Sequence, residues 1–513
     1  MPDRAEAESE ETRLAATEQL IASARDLREQ FRQDWHRPRY HFLPPAGWMN
    51  DLNGPLFWKG RYHIFYQANP DAAYPHRMRW GHASSADLVH WVHHPIALSP
   101  TPGGADREAC FSGGAVINDG VPTLIYHGVP DGTCLATSTD DDLIEWTKHP
   151  ANPVIRVPAP GDPEHGRYAV YDPCAWRRGD TWYALCGGRD ETGDTAYLFK
   201  SPDMVHWTYL RPFYQSDRRW TELAEDCAVP DFFPLGNKHM LLFCSHLQCT
   251  QYYLGSYRGD HFRPQTHARM SWAGGLLGGG ITMRDGKGRR LYFDWIREAR
   301  TETAQRLSGW SGVMTLPRVL TLPRDGILRI TPVPELTILR RDHHHLEGIT
   351  LGGDSEIVLD DIAGPCLELA LTLEPGSARE FGLKVACAPD GSEQTAISCE
   401  PGAEALRVDT SASTLDASIQ YTHYRNPAAL AQLPEAERIV HTQTTPFALA
   451  PGEPLHLRVF LDHSVLEVFA NGRQALTHRI YPTRRDSVGV RLFARGGSAR
   501  VTVLDAWDMA PAH

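Results

Sequence analysis

The sequence contains no run that approaches the roughly 20 apolar residues of a membrane-spanning helix. Its first 20 residues are acidic and lack an apolar segment, so no secretory signal peptide is expected. The ten cysteines form no CxxC pair and do not suggest a small disulfide scaffold. We therefore expect reduced cysteines and a cytoplasmic protein.

Basic residues are also in deficit, because 51 Lys and Arg stand against 63 Asp and Glu, a net charge of −12. Nucleic acids and anionic membranes attract an excess of positive charge. The balance therefore argues against both as partners.

The chain is long and is rich in apolar and turn-forming residues. Its 513 residues predict at least two domains, and 42% hydrophobic residues suffice for large cores. Together with 43 Gly and 38 Pro, this composition favours an all-β protein with many short connections.

An internal repeat defines the first part of the chain. Five times, a loop and a short strand lead to a glycine turn and a stronger apolar strand. The turn glycines are Gly60, Gly120, Gly179, Gly236 and Gly286. Repeats of 50–60 residues built from antiparallel strands are typical of β-propeller blades, so five blades are predicted over residues 36–340.

Two further units flank this propeller. Residues 1–35 carry a weak amphipathic pattern that predicts a short helical extension lying against the main body, with a partner-binding helix as the alternative. Residues 341–513 alternate apolar and polar positions and contain the hairpin signal Asn471-Gly472. They predict a C-terminal antiparallel β-sandwich.

Three acids occupy the start of blades, where propeller strands converge on a central opening. Asp51 begins the first blade, Asp172 the third, and Glu225 precedes the fourth. Each alone could be a residue that caps its own turn. Together they predict converging carboxylates with at least one raised pKa, as glycoside cleavage requires.

At these residues the chain resembles glycoside hydrolase family 32, the invertase and fructanase family. WMNDLNG resembles the family's WMNDPNG box, Tyr171-Asp-Pro173 its Arg-Asp-Pro box, and the segment from Glu225 to Phe233 its Glu-Cys-Pro-Asp box. The stretch LRVFLDHSVLEVFANG resembles the family's C-terminal sandwich. The resemblance covers nearly all of the chain after residue 36.

The resemblance implies a retaining hydrolase that releases terminal β-fructofuranosyl units from sucrose or fructans. Asp51 would be the nucleophile, Asp172 the transition-state stabiliser and Glu225 the acid/base, with Asp51 and Glu225 about 5 Å apart. The sugar would stack on Trp80, Phe111 and other aromatic side chains. The complete set of implied substrate-binding residues is Asn50, Gln67, Trp80, Phe111, Ser112 and Trp295.

The chain departs from the family boxes at three places. Leu52 replaces the expected Pro, and Tyr171 replaces an Arg that helps to hold fructosyl hydroxyls. Extra residues separate Glu225 from Pro230, so Asp226 and Glu222 remain alternatives for the acid/base.

Two other functions remain open. Another five-bladed glycosidase acting on pentose glycans would commonly invert, but it lacks the WMND box and this sandwich. A fructan-binding protein without catalysis is suggested by Leu52 and Tyr171. Sucrose, inulin, levan and fructo-oligosaccharides are not distinguished, and neither are hydrolysis and fructosyl transfer.

The remaining expectations concern metals and partners. The predicted chemistry requires no metal or cofactor. Asp342-His-His-His345 could suggest zinc, but it has no spaced partner triad, so a solvated linker is predicted there. A small carbohydrate is the expected partner, and the sandwich could mediate a homodimer.

Overall fold

A computed structural model describes residues 31–422 and 430–512, together with residues 25, 26 and 29. Most of the predicted extension over residues 1–35 lies outside these described residues. Within that extension, the described residues 25, 26, 29 and 31 are helical. Over the described part of the chain, no helix has both the length and the apolar character needed to cross a membrane.

Residues 47–332 form five sheets, one after another, and consecutive strands within each blade pair antiparallel. The first contains β1 (Gly47–Trp58), β2 (Arg61–Asn69), β3 (Arg79–Ser85) and β4 (Trp91–Leu98). The second contains β5 (Ala109–Asn118), β6 (Val121–Val129), β7 (Gly132–Thr137), β8 (Thr147–Lys148) and β9 (Ile155–Arg156). The third contains β10 (Tyr171–Arg178), β11 (Thr181–Asp190), β12 (Gly193–Ser201) and β13 (Thr208–Pro212).

The fourth sheet contains β14 (Ala228–Leu235), β15 (Lys238–Ser245), β16 (Cys249–Arg258) and β17 (His261–Arg269). The fifth begins with β18 (Leu277–Arg284) and β19 (Arg290–Ile296). After helix α1 (Glu302–Ser308) come β20 (Trp310–Ser311), which belongs to the first sheet, and then β21 (Val313–Met314), β22 (Arg318–Thr321) and β23 (Arg329–Pro332) of the fifth sheet. In every sheet the predicted turn glycine lies between the first and second strands.

The five sheets close into a ring. The innermost strands β1, β5, β10, β14 and β18 contact one another in this order, and β18 also contacts β1. Strand β20 runs parallel to β1 and joins the end of the propeller to its first blade. Apolar clusters fill the spaces between adjacent blades, so the five-bladed propeller predicted from the repeat is confirmed.

Every innermost strand is interrupted near its start by a register shift against its neighbour. The unpaired residues are 50–51 in β1, 111–112 in β5, 172–173 in β10, 229–230 in β14 and 279–280 in β18. Such bulges bend a strand and redirect its side chains. The five bulges lie at equivalent positions and together line the opening of the ring, which we call the funnel.

A 3-10 helix (Pro334–Leu339) leads into the second domain, a sandwich of two six-stranded sheets. Its strands up to residue 409 are β24 (Arg340–Leu351), β25 (Ser355–Ala363), β26 (Cys366–Glu374), β27 (Glu380–Cys387), β28 (Thr395–Glu400) and β29 (Ala405–Asp409). The later strands are β30 (Thr442–Pro446), β31 (Leu455–Asp462), β32 (Val465–Ala470), β33 (Gln474–Arg479), β34 (Gly489–Arg495) and β35 (Ala499–Met509). A short 3-10 helix (Pro401–Ala403) and helix α2 (Glu435–Arg438) lie between strands.

Period-two alternation builds this sandwich, as predicted. Alternate leucines of β26, from Leu367 to Leu373, all face the apolar core between the two sheets. Asn471 and Gly472 both have positive φ angles and form the predicted hairpin between β32 and β33. The sandwich predicted from the C-terminal pattern is therefore confirmed.

The prediction of a solvated linker at residues 342–345 is wrong, because these residues belong to strand β24 of the sandwich. Residues two apart on a strand share a face. His343 and His345 consequently both hydrogen-bond Asp505 Oδ1 on the paired strand β35, at 2.7 and 2.8 Å.

Two buried ionic networks join the propeller to the sandwich. In the first, the ring of His41 donates to Asp462 at 2.8 Å and to Glu467 at 3.2 Å, and Arg318 also binds Glu467. In the second, Glu298 after β19 accepts from Arg479 of β33 at 2.8 Å. Because each network has members in both domains, neither can form unless the domains are correctly docked.

The second network gives a pH-dependent prediction. Burial alone would raise the pKa of Glu298, but the nearby Arg300 and Arg479 lower it to about 2. A carboxyl whose pKa falls on folding stabilises the protein above its unfolded pKa, about 4.3, and this stabilisation is lost as the pH falls towards 2. Glu298→Gln should therefore cost about 3 kcal/mol at pH 7 and much less at pH 3, as measured by urea unfolding.

Glu302→Gln is the matched control, since Glu302 pairs with Arg306 on the exposed face of α1. It should change stability by less than about 0.5 kcal/mol at either pH. Equal effects of the two substitutions at pH 7 would contradict the interpretation of the buried network.

Candidate active site

Asp51 lies in the bulge of β1, with its carboxylate fixed by neighbouring blades. The hydroxyl of Ser112, in the bulge of β5, donates to Asp51 Oδ2 at 2.7 Å. Gly279, in the bulge of β18, approaches so closely that a Cβ atom there would lie 2.3 Å from Asp51 Oδ1. Three bulges thus hold this carboxylate at the funnel.

Opposing effects set the charge of Asp51. Burial raises its pKa above the ordinary value, and hydrogen bonds from Ser112 and Asn50 and the positive charge of His246 offset part of this rise. Asn50 is itself fixed, because the indole N–H of Trp48 donates to its Oδ1 at 2.8 Å. These donors favour the ionised carboxylate, which is the nucleophilic form.

Asp172 lies in the bulge of β10 with a φ angle of 38°, a left-handed conformation that the bulge imposes. Burial raises its pKa to about 7, and the negative charge of Asp51 is the next contribution. The backbone N–H of Val229, in the bulge of β14, donates to its Oδ2 at 3.4 Å. The structure therefore brings Asp51 and Asp172 together, with different tendencies to ionise.

Glu225 is not brought to the surface of the funnel. It is 0% exposed, and both carboxylate oxygens are occupied by protein donors. The N–H of Glu222 donates to Oε1 at 2.7 Å, and Gln251 Nε2 donates to Oε2 at 2.6 Å. Arg269 lies 4.0 Å from Oε1. The arrangement fastens the loop before β14 to the fourth blade.

The neighbouring residue, Asp226, is the carboxylate of this loop that acts electrostatically on the funnel. Its negative charge is among the causes of the raised pKa of Asp172. It also accepts from His246, whose ring Nδ1 lies 2.6 Å from Oδ2 and whose backbone N lies 2.9 Å from Oδ1. This hydrogen bond raises the pKa of His246 to about 9.

His246 is absent from the residues identified in the sequence. It directly follows β15, the second strand of its blade, which returns antiparallel to the start of the first strand. The end of the second strand therefore lies beside the bulge. A search for polar residues at the ends of second strands would have found His246, and also Gln67 and Trp295, which were identified for other reasons.

The predicted stacking of sugar on Trp80 is wrong, because Trp80 is fully buried between the first two blades. Its indole N–H donates to the carbonyl of Phe111 at 3.0 Å. Gln67 is also buried and donates to the carbonyl of Cys110 at 3.0 Å. Both side chains brace the bulge of β5, and they influence the funnel through Phe111 and Ser112.

Exposed aromatic rings are found elsewhere at the opening. Phe111 is 40% exposed and Tyr171 is 43% exposed, and both pack against the ring of His127. Burial lowers the pKa of His127 to about 4, so this ring is neutral near pH 7. The three rings form an uncharged aromatic wall.

Trp295 is largely buried beside the opening. It lies opposite Gly278 at the start of β18 and contacts Trp48 edge to face at 5.8 Å. Its indole nitrogen has no hydrogen-bond partner among the described residues. Trp295 thus supplies apolar packing beneath the site.

Candidate metal ligands occur in the sandwich. Among the described residues, the side chains that could hold an ion are His343 with His345 and Asp505, and Cys366 with Asp462 and His463. Neither group includes Asp51 or Asp172. The funnel itself offers carboxylates of unequal pKa and an imidazolium, a set suited to acid–base and nucleophilic chemistry.

Comparison with protein-family models matches both domains. Residues 41–332 match the model described as "Glycosyl hydrolases family 32 N-terminal domain", and residues 335–508 match "Glycosyl hydrolases family 32 C terminal". The two matches span the propeller and the sandwich.

Individual relatives agree over most of their length. The chain is 31% identical to a sucrose-6-phosphate hydrolase of Escherichia coli, with 97% of this chain and 99% of the relative covered. It is 30% identical to a raffinose invertase of Escherichia coli, at 92% and 95% coverage. The crystal structure of fructan 1-exohydrolase IIa from Cichorium intybus superposes with a TM-score of 0.81 at 26% identity, covering 93% and 98% of the two chains.

The close approach of Gly279 to Asp51 is directly testable. In Gly279→Ala the new methyl group should displace the Asp51 carboxylate, which crystal structures of the two proteins would show. Gly60→Ala is the matched control, because its φ of +83° resembles the +84° of Gly279 but no atom lies within 4 Å of its added Cβ. Both variants should lose about 1 kcal/mol from backbone strain. An unmoved Asp51 in Gly279→Ala would contradict the proposed contact.

Proposed function

The chain belongs to glycoside hydrolase family 32, and we propose that it is a retaining β-fructofuranosidase acting on the non-reducing fructosyl end of sucrose or fructans. The observation that carries this proposal is the pairing of Asp51 and Asp172 in the bulges of β1 and β10, where one carboxylate raises the pKa of the other. Cleavage through a covalent intermediate uses a nucleophilic carboxylate, and a second carboxylate beside it can stabilise the positive charge that develops on the sugar ring.

The comparisons support a fructoside as the substrate. The Escherichia coli relatives are named for hydrolysis of sucrose 6-phosphate and for cleavage of raffinose, and the Cichorium intybus structure is a fructan exohydrolase. A terminal β-fructofuranosyl group is common to these substrates. The uncharged wall of Phe111, His127 and Tyr171 suits the apolar face of a neutral sugar.

Asp51 is proposed as the nucleophile. Its carboxylate attacks the anomeric carbon of the fructosyl unit as the glycosidic oxygen takes a proton from the predicted acid/base, Glu225, and leaves; a fructosyl ester of Asp51 forms. Water then cleaves this ester and releases fructose with its original configuration. Ser112 and Gly279 support this role because they fix where the attacking oxygen lies.

Asp172 is proposed to bind fructosyl hydroxyls and to stabilise the positive charge that develops on the sugar ring. With a pKa raised to about 7, it can accept or donate a hydrogen bond near neutral pH. Glu225 stays a prediction as the acid/base. In this structure its carboxylate is fully buried and accepts hydrogen bonds from the N–H of Glu222 and from Gln251.

We also propose a cytoplasmic location. All ten cysteines are described, and all are free, which agrees with a reducing compartment. A homodimer through the sandwich remains a proposal for solution measurement, such as light scattering.

Replacing Asp51 tests the function directly. Asp51→Asn should lower the release of fructose from sucrose, raffinose, inulin or levan by at least about 10³-fold, because an amide cannot form the ester intermediate. Release is measured by chromatography of the products. The control is Asp119→Asn, an exposed carboxylate at an outer turn that pairs with Arg177 and should leave turnover unchanged.

The first-formed anomer identifies the mechanism. NMR during the first turnovers should show retained β-configuration, whereas inversion would exclude a covalent Asp51 intermediate. Tight binding of fructans without any fructose release, in both the unmodified protein and Asp51→Asn, would instead establish a non-catalytic binding protein.

A further inference from the structure

Two histidines and an aspartate converge on the outer face of the sandwich. His343 Nε2 lies 2.7 Å and His345 Nδ1 lies 2.8 Å from the same oxygen, Asp505 Oδ1. The three potential ligand atoms all lie within 4.8 Å of one another. The segment around the two histidines contains no third ligand with suitable spacing, but the fold brings in Asp505 from 160 residues away.

A β-bulge in β24 creates this arrangement. The pairing of β24 with β35 changes register between Arg341 and His344, so that residues 342 and 343 together lie opposite a single residue. The extra residue places His345 directly opposite Asp505. An unshifted ladder would place His344 there, and because side chains alternate between faces, the two flanking histidines would then point away from Asp505.

Neighbouring side chains fix the orientation of both imidazole rings. His345 Nε2 donates to Glu347 Oε1 at 3.0 Å, while Nδ1 of the same ring faces Asp505. The ring of His343 stacks on Trp507, with 4.9 Å between the ring centroids and 8° between the planes. A carboxylate that binds the second nitrogen of an imidazole is the usual partner of a metal-bound histidine, because it fixes the tautomer that leaves the first nitrogen free to coordinate.

The positive charge beside this cluster has its own partner. The guanidinium carbon of Arg340 lies 3.6 Å from the centroid of Trp507, and Arg340 gives two hydrogen bonds to Glu368, at 2.9 and 2.7 Å. Arg340 therefore holds the tryptophan in place while its charge is balanced by a buried carboxylate. Asp505 and Glu347 remain the carboxylates that face the two histidines.

The other side-chain group with suitable ligand spacing, around Asp462, is already fully used. Its carboxylate is 0% exposed and accepts from the backbone N–H groups of residues 39–41, so an ion would have to displace these hydrogen bonds. By contrast, the side chains of His343 and His345 are 49% and 47% exposed. An ion can reach them, and water can complete its coordination.

We propose that His343 Nε2, His345 Nδ1 and a carboxylate oxygen of Asp505 bind one divalent transition-metal ion, for which Zn²⁺ is the best match. Two imidazoles and a carboxylate are typical zinc ligands, whereas Mg²⁺ and Ca²⁺ prefer oxygen alone. The ion takes the place of the protons that the two nitrogens now share with Asp505, and these protons pass to water. Three protein ligands leave the fourth tetrahedral position to a water molecule.

The present distances need only small changes to hold the ion. In a tetrahedral zinc site with bonds of about 2.0–2.2 Å, neighbouring ligand atoms lie about 3.4 Å apart. The two nitrogens would therefore move slightly away from the Asp505 oxygen, which is now 2.7 and 2.8 Å away. Half-exposed side chains can make this adjustment by rotating about their own bonds.

The position of the site gives the ion a structural role. Strand β24 is at the edge of its sheet and follows the 3-10 helix that leads from the propeller, and its partner β35 is the last strand of the chain. An ion bound to both strands joins the first strand of the sandwich to the last. Because this site exists only in the folded protein, the ion stabilises the folded state.

Calorimetric titration with Zn²⁺ provides the main test, using the full chain without a polyhistidine tag and after treatment with EDTA. One ion should bind per chain. His343→Ala and Asp505→Asn should each weaken binding by at least about 100-fold, and Glu347→Gln, which removes only an orienting partner, by about tenfold. His206→Ala is the matched control, because His206 binds Asp203 through Nδ1 on an exposed turn as a single imidazole, and it should leave the Kd unchanged.

Cobalt identifies the ligands independently. Co²⁺ bound by two imidazoles and a carboxylate should show visible d–d absorption without the near-ultraviolet charge-transfer band of a thiolate. A thiolate band that disappears in Cys366→Ser would instead assign the ion to the group around Asp462 and overturn the proposal.

Thermal unfolding provides a further readout. Saturating Zn²⁺ should raise the Tm of the unmodified chain and of His206→Ala, but not that of His343→Ala. Without metal the three proteins should unfold at similar temperatures, since both histidine side chains are largely exposed. Absence of saturable Zn²⁺ binding, or equal affinity in the unmodified chain and His343→Ala, would overturn the proposal.

Discussion

The ladder of backbone hydrogen bonds is broken where each innermost strand begins at the opening of the ring, and the site depends on this break. Each innermost strand interrupts its ladder at the same place, leaving two residues per blade out of register. A bulged residue is free to turn its side chain towards the axis. The same local defect, repeated five times, therefore supplies Asp51, Ser112 and Asp172, and the glycine that makes room for them.

The sandwich binds the propeller beside the place where the ring closes. Glu298 and Arg318 belong to the fifth blade, next to the strand that joins the first blade, and both bind buried partners on the sandwich. Buried ion pairs add little net stability compared with apolar contacts, but an unmatched buried charge is costly. The networks therefore penalise any other docking of the domains.

Features that repeat from blade to blade could be predicted from the sequence. His246 was missed, because it reaches the site only through the second strand that runs back beside the first. Five glycine turns locate the blades, and the acids at equivalent positions, Asp51 and Asp172, lie in bulges as expected from their spacing. In the fourth blade the bulge contains Val229 and Pro230 at the equivalent position, and Glu225 lies before the strand begins at Ala228. Exposure could not be inferred for this residue, because burial depends on Gln251 and Arg269.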